Sequence, residues 1–443
     1  MFYFILLGLR KVIYHCSAFS PRVKKAVMGS YKNQFSDNAK YLYLHWQQTH
    51  FIRAIWISGD PQLVSALKKR GFEAYHRRSL LGLFHCLTAK FYFYNSYIGD
   101  INQYLAKGAV KVNLWHGSPL KKIEFDIESG PLSNTYKTDS WSENLKCSLK
   151  FHQQYIKPDL MLSPSPLMDQ LFSSAFRLQA SALYRSGNPR TDYYRRYPTQ
   201  RTSIQKMMKH KFSKVIVYAP TWSDTLAYAE GKEVNRYEQA FDWEMLSQHL
   251  QVNNQLFLIR LHPNEAHLAG KFDQYSNILD ISHWQDIYST MHEIDLLITD
   301  QSSLCIDFLT YQTPTLFYVP EQATASVADD ITEAQGENKQ NIQSQREMYD
   351  YVDALPIFGN DSSAKVFSFE ALLMKLEESD SFYVSAKHSE QYKQLSNLFW
   401  SEGDNDCHYS DAFEVIEKQI NHLSGNTDIG ELPQHSAVKS HIP

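Results

Sequence analysis

Asn113-Leu114-Trp115-His116-Gly117-Ser118-Pro119-Leu120-Lys121-Lys122 is the stretch from which the fold is read. A short apolar run ends at Leu114, His116 stands just beyond it, and Gly117 and Pro119 break the pattern. A strand that stops in this way delivers a polar side chain to the rim of a parallel sheet, where open α/β sheets bind ligands. His116 is a residue type that exchanges protons near neutral pH, and Lys121 and Lys122 are cations suited to an anion. Phosphate chemistry fits that pairing. The same residues also fit a plain strand-end histidine followed by a turn and two solvated lysines.

Outward from this stretch the pattern repeats. Upstream, residues 29–38 read as a loop, and Asp37 or Asn38 is placed to cap a helix from Ala39. Phe51–Ser58 reads as a strand, Pro61–Arg70 as a helix and Ala89–Asn95 as a strand. Downstream, residues 126–142 read as a turn-rich flap, Leu160–Ser163 as a strand and Ser165–Phe176 as a helix. The polar turn Ser186-Gly187-Asn188-Pro189-Arg190-Thr191-Asp192 leads to a basic helix, Tyr193–His210, that bridges two halves. The second half reads Lys214–Tyr218 strand, Trp243–Leu250 helix, Gln255–Leu261 strand, Asp286–His292 helix, Asp295–Thr299 strand, Ile306–Tyr311 helix and Thr315–Val319 strand. Strand and helix in alternation predict an α/β protein of two doubly wound domains. Residues 320–345 read as a long, flexible acidic loop, Phe369–Glu378 and Ser389–Trp400 as helices, and 424–443 as a frayed end. The expected division is a first domain over 1–195, a second over 196–400, and a C-terminal helix and tail over 401–443.

A length of 443 residues suits two domains of ordinary size. The net charge of −4 argues against a nucleic-acid binder. The five cysteines are scattered with no CxxC pair, which suits a reduced compartment and excludes a disulfide framework. Phe2–Leu9 is apolar but too short to span a bilayer, and Arg10 and Lys11 follow it instead of preceding it, unlike a signal peptide. It reads either as a buried first element or as an apolar and basic face on an anionic membrane surface, supported by Arg22, Lys24 and Lys25.

Three strand ends carry chemistry: Trp115-His116-Gly117, Arg260-Leu261-His262-Pro263 and Asp300-Gln301-Ser302-Ser303. In a two-domain α/β protein all three can face one cleft. Arg260 and His262 fall on one face if the strand continues through them, so both would meet one diphosphate. Ser302 and Ser303 begin a helix, which suits an anion or simple N-capping. Asp307, one turn on, suits ribose hydroxyls or a first-turn acid. Thr221 and Trp222 follow a strand, and Trp222 suits base stacking or a core. Asp126 suits orienting His116 or capping a helix. There is no Walker A motif, no GxGxxG and no DxD pair at a strand end, so neither a metal nor a cofactor is expected.

Six stretches in order make the chain resemble the CDP-glycerol glycerophosphotransferase family, which primes and polymerises teichoic acid and has relatives acting on polyol-phosphate capsules. They are Phe35-Ser36-Asp37-Asn38 with Lys40-Tyr41-Leu42, Trp115 to Lys121 with Asp126, Gly187 to Asp192, Tyr218-Ala219-Pro220-Thr221-Trp222, Arg260 to Pro263, and Thr299 to Ser303 with Asp307-Phe308. The resemblance covers roughly residues 29–375. It departs at Gln301, where the family usually has Tyr, and at Arg346-Glu347, where it usually has Arg-Gly before aromatics.

The resemblance implies a GT-B fold of two Rossmann-like domains with an interdomain cleft. The first domain would dock on the cytoplasmic face of the membrane as a peripheral protein and meet a lipid-linked or glycan acceptor. The second would hold CDP-glycerol or a similar CDP-polyol. His116 would be the general base. Arg260, His262, Ser302 and Ser303 would bind the pyrophosphate, with Lys121, Asp126, Arg190, Thr221, Trp222 and Asp307 completing the site. Glycerol phosphate would pass to the acceptor and CMP would leave. The competing readings are ribitol phosphate transfer, a polysialyltransferase-like enzyme of the same fold using a CMP-sugar, and a scaffold that retains the fold without turnover.

Overall fold

Parallel strands are covered on both faces, so they run largely apolar. Ala54–Ser58, Lys214–Tyr218 and Gln255–Ile259 are buried at every position. The helices between strands start at encoded caps: the side chains of Asp60, Ser79, Ser165, Asp242 and Ser368 each accept a backbone N–H of their helix's first turn. The computed structural model describes residues 2–425 except 131, 137, 139, 222–227, 230, 231, 234, 263, 264, 285, 301, 321–346, 356–363, 379–389 and 402–409. The expected loop at 320–345 and the expected frayed end therefore lie almost wholly outside the described residues.

The first sheet has seven parallel strands: β1 (Val23–Met28), β2 (Ala54–Ser58), β3 (Ala74–His76), β4 (Ala89–Tyr94), β5 (Val110–Asn113), β6 (Leu160–Ser163) and β7 (Leu183–Arg185). Their order is β3-β2-β1-β4-β5-β6-β7. After β8 (Lys214–Tyr218), a two-residue pair, β9 (Tyr228–Ala229) and β10 (Lys232–Glu233), runs antiparallel. The second sheet joins β8 to β11 (Gln255–Ile259), β12 (Ile278–Asp280), β13 (Leu296–Thr299), β14 (Thr315–Tyr318) and β15 (Lys365–Val366), in the order β12-β11-β8-β13-β14-β15. Each sheet grows outward in both directions from its first strand. The switch points are β1/β4 and β8/β13, and ligand crevices of doubly wound sheets open at such points. The architecture is therefore α/β with two Rossmann-like domains, as in GT-B proteins.

Four readings of the sequence change. β1 was hidden by Lys24 and Lys25, which look like part of a basic surface cluster. Lys25 is buried, its ammonium 2.9 Å from His85 Nδ1 and 2.6 Å from the Thr88 hydroxyl. Arg22 spends its guanidinium on the carbonyls of Ser17, Cys86, Ala89, Leu105 and Lys107. Neither is available to an anionic surface. The expected bridging helix from Tyr193 to His210 is instead Pro189–Arg196, then a 3-10 turn at Pro198–Gln200, then Ile204–Met208. Pro198 cannot continue a helix and pushes Tyr197 out of helical geometry. Asp286–His292 is a set of turns with a 3-10 turn at Met291–Glu293. There the Ser289 and Thr290 hydroxyls take the carbonyls of Asp286 and Ile287 that a helix would need. The expected flap contains the short helix Ser133–Tyr136, whose Tyr136 is buried, and leads into helix Trp141–Lys150.

The helix Ala412–Leu423 crosses back to the first sheet. Phe413, Ile416 and Ile420 join the core of Phe91, Phe93, Val112 and Leu162. Glu417 accepts from Trp46 Nε1 at 3.1 Å and meets His45 Nε2 at 2.9 Å, and Asp192 caps the helix through the Ala412 N–H. Replacing Phe413, which has no exposed surface, by Ala should cost about 3–5 kcal/mol in denaturant unfolding. A loss below about 1 kcal/mol would mean that the helix is not part of the first domain's core.

Candidate active site

The loop after β5 is shaped by buried asparagines. Asn113 accepts the Trp115 N–H at 2.8 Å and donates to the Ser96 carbonyl at 3.2 Å. Asn38 donates to the carbonyls of Leu114 and Trp115, at 3.1 and 2.9 Å. Asn95 accepts the Ala39 N–H and donates to the Ser30 hydroxyl, both at 2.9 Å. Trp115 adopts φ 50° and Gly117 φ 140°, so the chain reverses within three residues. The Trp115 ring turns into the core against Phe176, at a centroid distance of 4.8 Å. His116 is left on the surface. Its Nδ1 lies 3.1 Å from the Asn95 carbonyl oxygen and 3.3 Å from the Ser96 hydroxyl. A carbonyl only accepts, so in the neutral ring Nδ1 carries the proton and Nε2 is the basic nitrogen.

Arg190 joins the two halves of the molecule. Its side chain is 4% exposed. Nη1 donates to Asp37 at 2.8 Å and Nη2 to the Asp307 carboxylate at 2.9–3.0 Å. Burial would drive its proton off, but the Asp307 and Asp37 carboxylates hold it well above the usual guanidinium range. Asp307 also accepts the Tyr288 hydroxyl at 2.7 Å. Both oxygens of this buried acid thus already hold partners from this chain, Arg190 and Tyr288. Arg190, expected at the substrate, also turns its fork inward. A Cβ on Gly117 would sit 3.1 Å from Arg190 Nη2 and 3.5 Å from Ser303 Oγ. The strand-end loop of the first sheet and the helix start of the second therefore touch.

Three neighbouring strands of the second sheet end at this place. Thr221 donates its N–H to Asp300 at 2.8 Å, and its hydroxyl reaches the same oxygen. Ser302 accepts the Leu304 N–H at 3.3 Å at the start of the helix Leu304–Leu309, whose N-cap residue, Ser303, makes no side-chain cap bond. Ser302 and Ser303 are both half-buried. Arg260 donates to the Trp284 carbonyl at 3.0 Å. Burial, opposed by Tyr288, Tyr41 and Asp286, lowers its pKa, but guanidinium stays charged. β11 ends at Ile259, so the period-two rule lapses at Arg260: that side chain is half-buried while His262 is exposed. Trp222 and Gln301 lie outside the described residues.

The Lys121 backbone and the Asp126 side chain bind the segment 347–351. Lys121 pairs antiparallel with Met348. Around it the Lys122 N–H donates to the Glu347 carbonyl at 2.7 Å and the Tyr349 N–H to the Leu120 carbonyl at 3.0 Å. Asp126 accepts from Tyr349, at 2.7 Å, and from Ser174. Its carboxylate ties the two halves together and does not orient His116. The segment 347–351, noted in the sequence for lacking the family's Gly, is thus a strap on the His116 loop; Arg346 is outside the described residues.

The sequence reading missed Asn95, Asn113, Asp286 and Tyr288 as parts of this site. Asn95 and Asn113 each directly follow or end an apolar strand, which is a usable signal. Asp286 gave none. It accepts from Lys40 and Tyr194 at 2.7 Å, and from Tyr41. Burial pushes Asp286 up, but Lys40 and these hydroxyls outweigh it and hold it below the usual carboxylate range. Among the described residues no group of three or more His, Cys, Asp or Glu is placed to hold a metal.

Known proteins resemble this chain in sequence and in fold. The family described as CDP-glycerol:poly(glycerophosphate) glycerophosphotransferase matches residues 12–377. The teichoic acid poly(glycerol phosphate) polymerase of Bacillus spizizenii is 27% identical over 332 residues, 72% of this chain and 79% of that protein. The teichoic acid glycerol-phosphate transferase of Staphylococcus aureus is 29% identical over 298 residues, 64% of this chain and 71% of its own length. The wall teichoic acid polymerase TagF superposes with a TM-score of 0.67 over 96% of both chains at 20% identity, a likeness of fold.

Gly117→Ala tests the contact between halves. The left-handed φ and the close Arg190 resist a side chain, so turnover should fall on the order of tenfold to a hundredfold while the protein stays folded by circular dichroism. Unchanged turnover would show that the loop does not need this approach.

Proposed function

The chain belongs to the CDP-glycerol:poly(glycerophosphate) glycerophosphotransferase family, and from that premise we propose how its residues perform the transfer. His116 Nε2 takes the proton of an acceptor hydroxyl. That oxygen attacks the β-phosphorus of CDP-glycerol, a new O–P bond forms, and the bond to the bridging oxygen breaks. CMP leaves with the electron pair. Arg260, His262, Lys121 and the Ser302-Ser303 turn balance the charge on the diphosphate, where electrostatic stabilisation contributes most in phosphoryl transfer. Arg190, Asp307, Thr221 and Asp126 hold these groups in place from behind, and Trp222 is assigned to the cytosine. The observation that carries the reading is His116 Nδ1 at 3.1 Å from the Asn95 carbonyl, on a loop that reaches Ser303.

The acceptor is a hydroxyl of a lipid-linked or glycan chain in teichoic acid or capsule synthesis. The helix Phe2–Cys16 supports a peripheral contact with the cytoplasmic face of the membrane. It exposes Tyr3, Ile5, Leu6, Leu9, Val12 and Ile13 and carries Arg10 and Lys11, an apolar face with cations beside it. Among the described residues no helix is long and apolar enough to cross a membrane.

Two measurements test this reading. Purified protein with an acceptor fragment should release CMP from CDP-glycerol, and His116→Ala should lower that rate on the order of a hundredfold or more. Wild-type turnover in the variant would remove His116 as the base, and release from CDP-ribitol or a CMP-sugar instead would reassign the donor. Binding to vesicles containing anionic lipid should weaken as salt rises from low to high ionic strength. No binding at low salt would remove the membrane contact.

A further inference from the structure

Asp100 lies behind His116, in the turn that follows β4. It is buried. One carboxylate oxygen accepts the N–H of Ser96 at 3.0 Å and of Asn95 at 3.3 Å. The peptide that joins these two residues has two ends. Its N–H, from Ser96, points at Asp100. Its carbonyl, from Asn95, receives His116 Nδ1 at 3.1 Å. A carboxylate that polarises a peptide through its N–H makes the carbonyl at the other end a better acceptor, because hydrogen bonds in a chain strengthen one another.

We infer that Asp100 is a positioning residue for the transfer, acting on His116 through the single Asn95–Ser96 peptide. This rests on His116 being the base. Serine hydrolases place a carboxylate directly against the histidine ring to fix its tautomer and stabilise the imidazolium. Here one peptide group stands between the two. When Nε2 takes the acceptor proton, the ring becomes a cation, and the nearby buried negative charge lowers the cost of forming it.

The surroundings suit this role. Arg77, from the loop after β3, donates to the carbonyls of Gly99 and Asp100 at 3.0 and 2.9 Å and faces the carboxylate. Tyr94 on β4 also faces it, and Tyr97, in the same turn, gives its hydroxyl to Glu124 at 2.6 Å. The Asp100 N–H closes the turn on the Tyr97 carbonyl at 2.8 Å. Burial pushes the Asp100 carboxyl up to about 6, against the Ser96 and Asn95 N–H groups and Arg77. Its charge is lost as the pH falls through that range.

The test compares Asp100→Asn, His116→Ala and the double variant in CMP release from CDP-glycerol, across pH. Asp100→Asn keeps shape and removes charge. It should lower kcat about tenfold or more with KM for CDP-glycerol nearly unchanged. Removing a negative charge near a base makes the base weaker, so the acid limb of the profile should move to lower pH and become less steep. In the His116→Ala background Asp100→Asn should cost nothing further, whereas a merely structural role would cost the same in both backgrounds. If His116→Ala is impaired but Asp100→Asn matches wild type in kcat and pH profile, the relay is wrong and the base stands. If His116→Ala keeps wild-type turnover, the base assignment falls and the relay with it. Should Asp100→Asn not fold, the wild type still decides. In its 15N-histidine spectrum, the resonance missing from His116→Ala should report a proton on Nδ1, and a proton on Nε2 would overturn the inference.

Discussion

Arg190 is the constraint on which the rest of the site depends. A guanidinium with 4% exposure is costly to desolvate and persists only because Asp37 and Asp307 hold it from either side. Asp37 belongs to the first half and Asp307 to the second, so the charge balance of one residue couples the two domains. The close approach of Gly117 follows from it, and so does the place of Ser303 beside the His116 loop. Asp286, with Lys40, Tyr41 and Tyr194, repeats the device nearby. Buried charges at a domain boundary tolerate few alternative packings, since any shift strands one of them.

The loop bearing His116 is held differently. Its partners are neutral amides: Asn38 and Asn113 satisfy backbone groups that the sharp reversal leaves without strand partners, and Asn95 ties the start of the neighbouring helix to Ser30. An amide offers donor and acceptor together, so one side chain ties two pieces of chain. The loop is then strapped from outside by residues 347–351, through Lys121 and Met348 and through Tyr349 and Asp126. A histidine at the tip of such a loop has little freedom in where its ring points, which is what a proton acceptor for one hydroxyl requires.

Much of this was legible in the sequence because strand ends carry their own punctuation. Gly117 and Pro119 mark the turn that exposes His116, and Ser302-Ser303 mark a helix start. β11 and β13 were read within a few residues of their ends. β1 was not, because a buried lysine paired with His85 looks on paper like a surface one. The Asp286 turns read as a helix in the sequence because nothing local reveals that hydroxyls take the helix's carbonyls. Roles were harder than elements. Asp307, Arg190 and Asp126 stand in the right motifs, yet they face one another or the strap, and that choice is made by residues more than a hundred positions away. The return of Phe413 and Glu417 to the first sheet is long-range in the same sense.

A crystal structure of the protein with CDP-glycerol bound tests the central claim, that the strand ends of both sheets form one cleft around the diphosphate. The account predicts the diphosphate at the ends of β8, β11 and β13, beside Arg260 and Ser302-Ser303, with the β-phosphorus facing His116 Nε2. A nucleotide seated at the ends of β1 and β4, or a β-phosphorus turned away from His116, would contradict it.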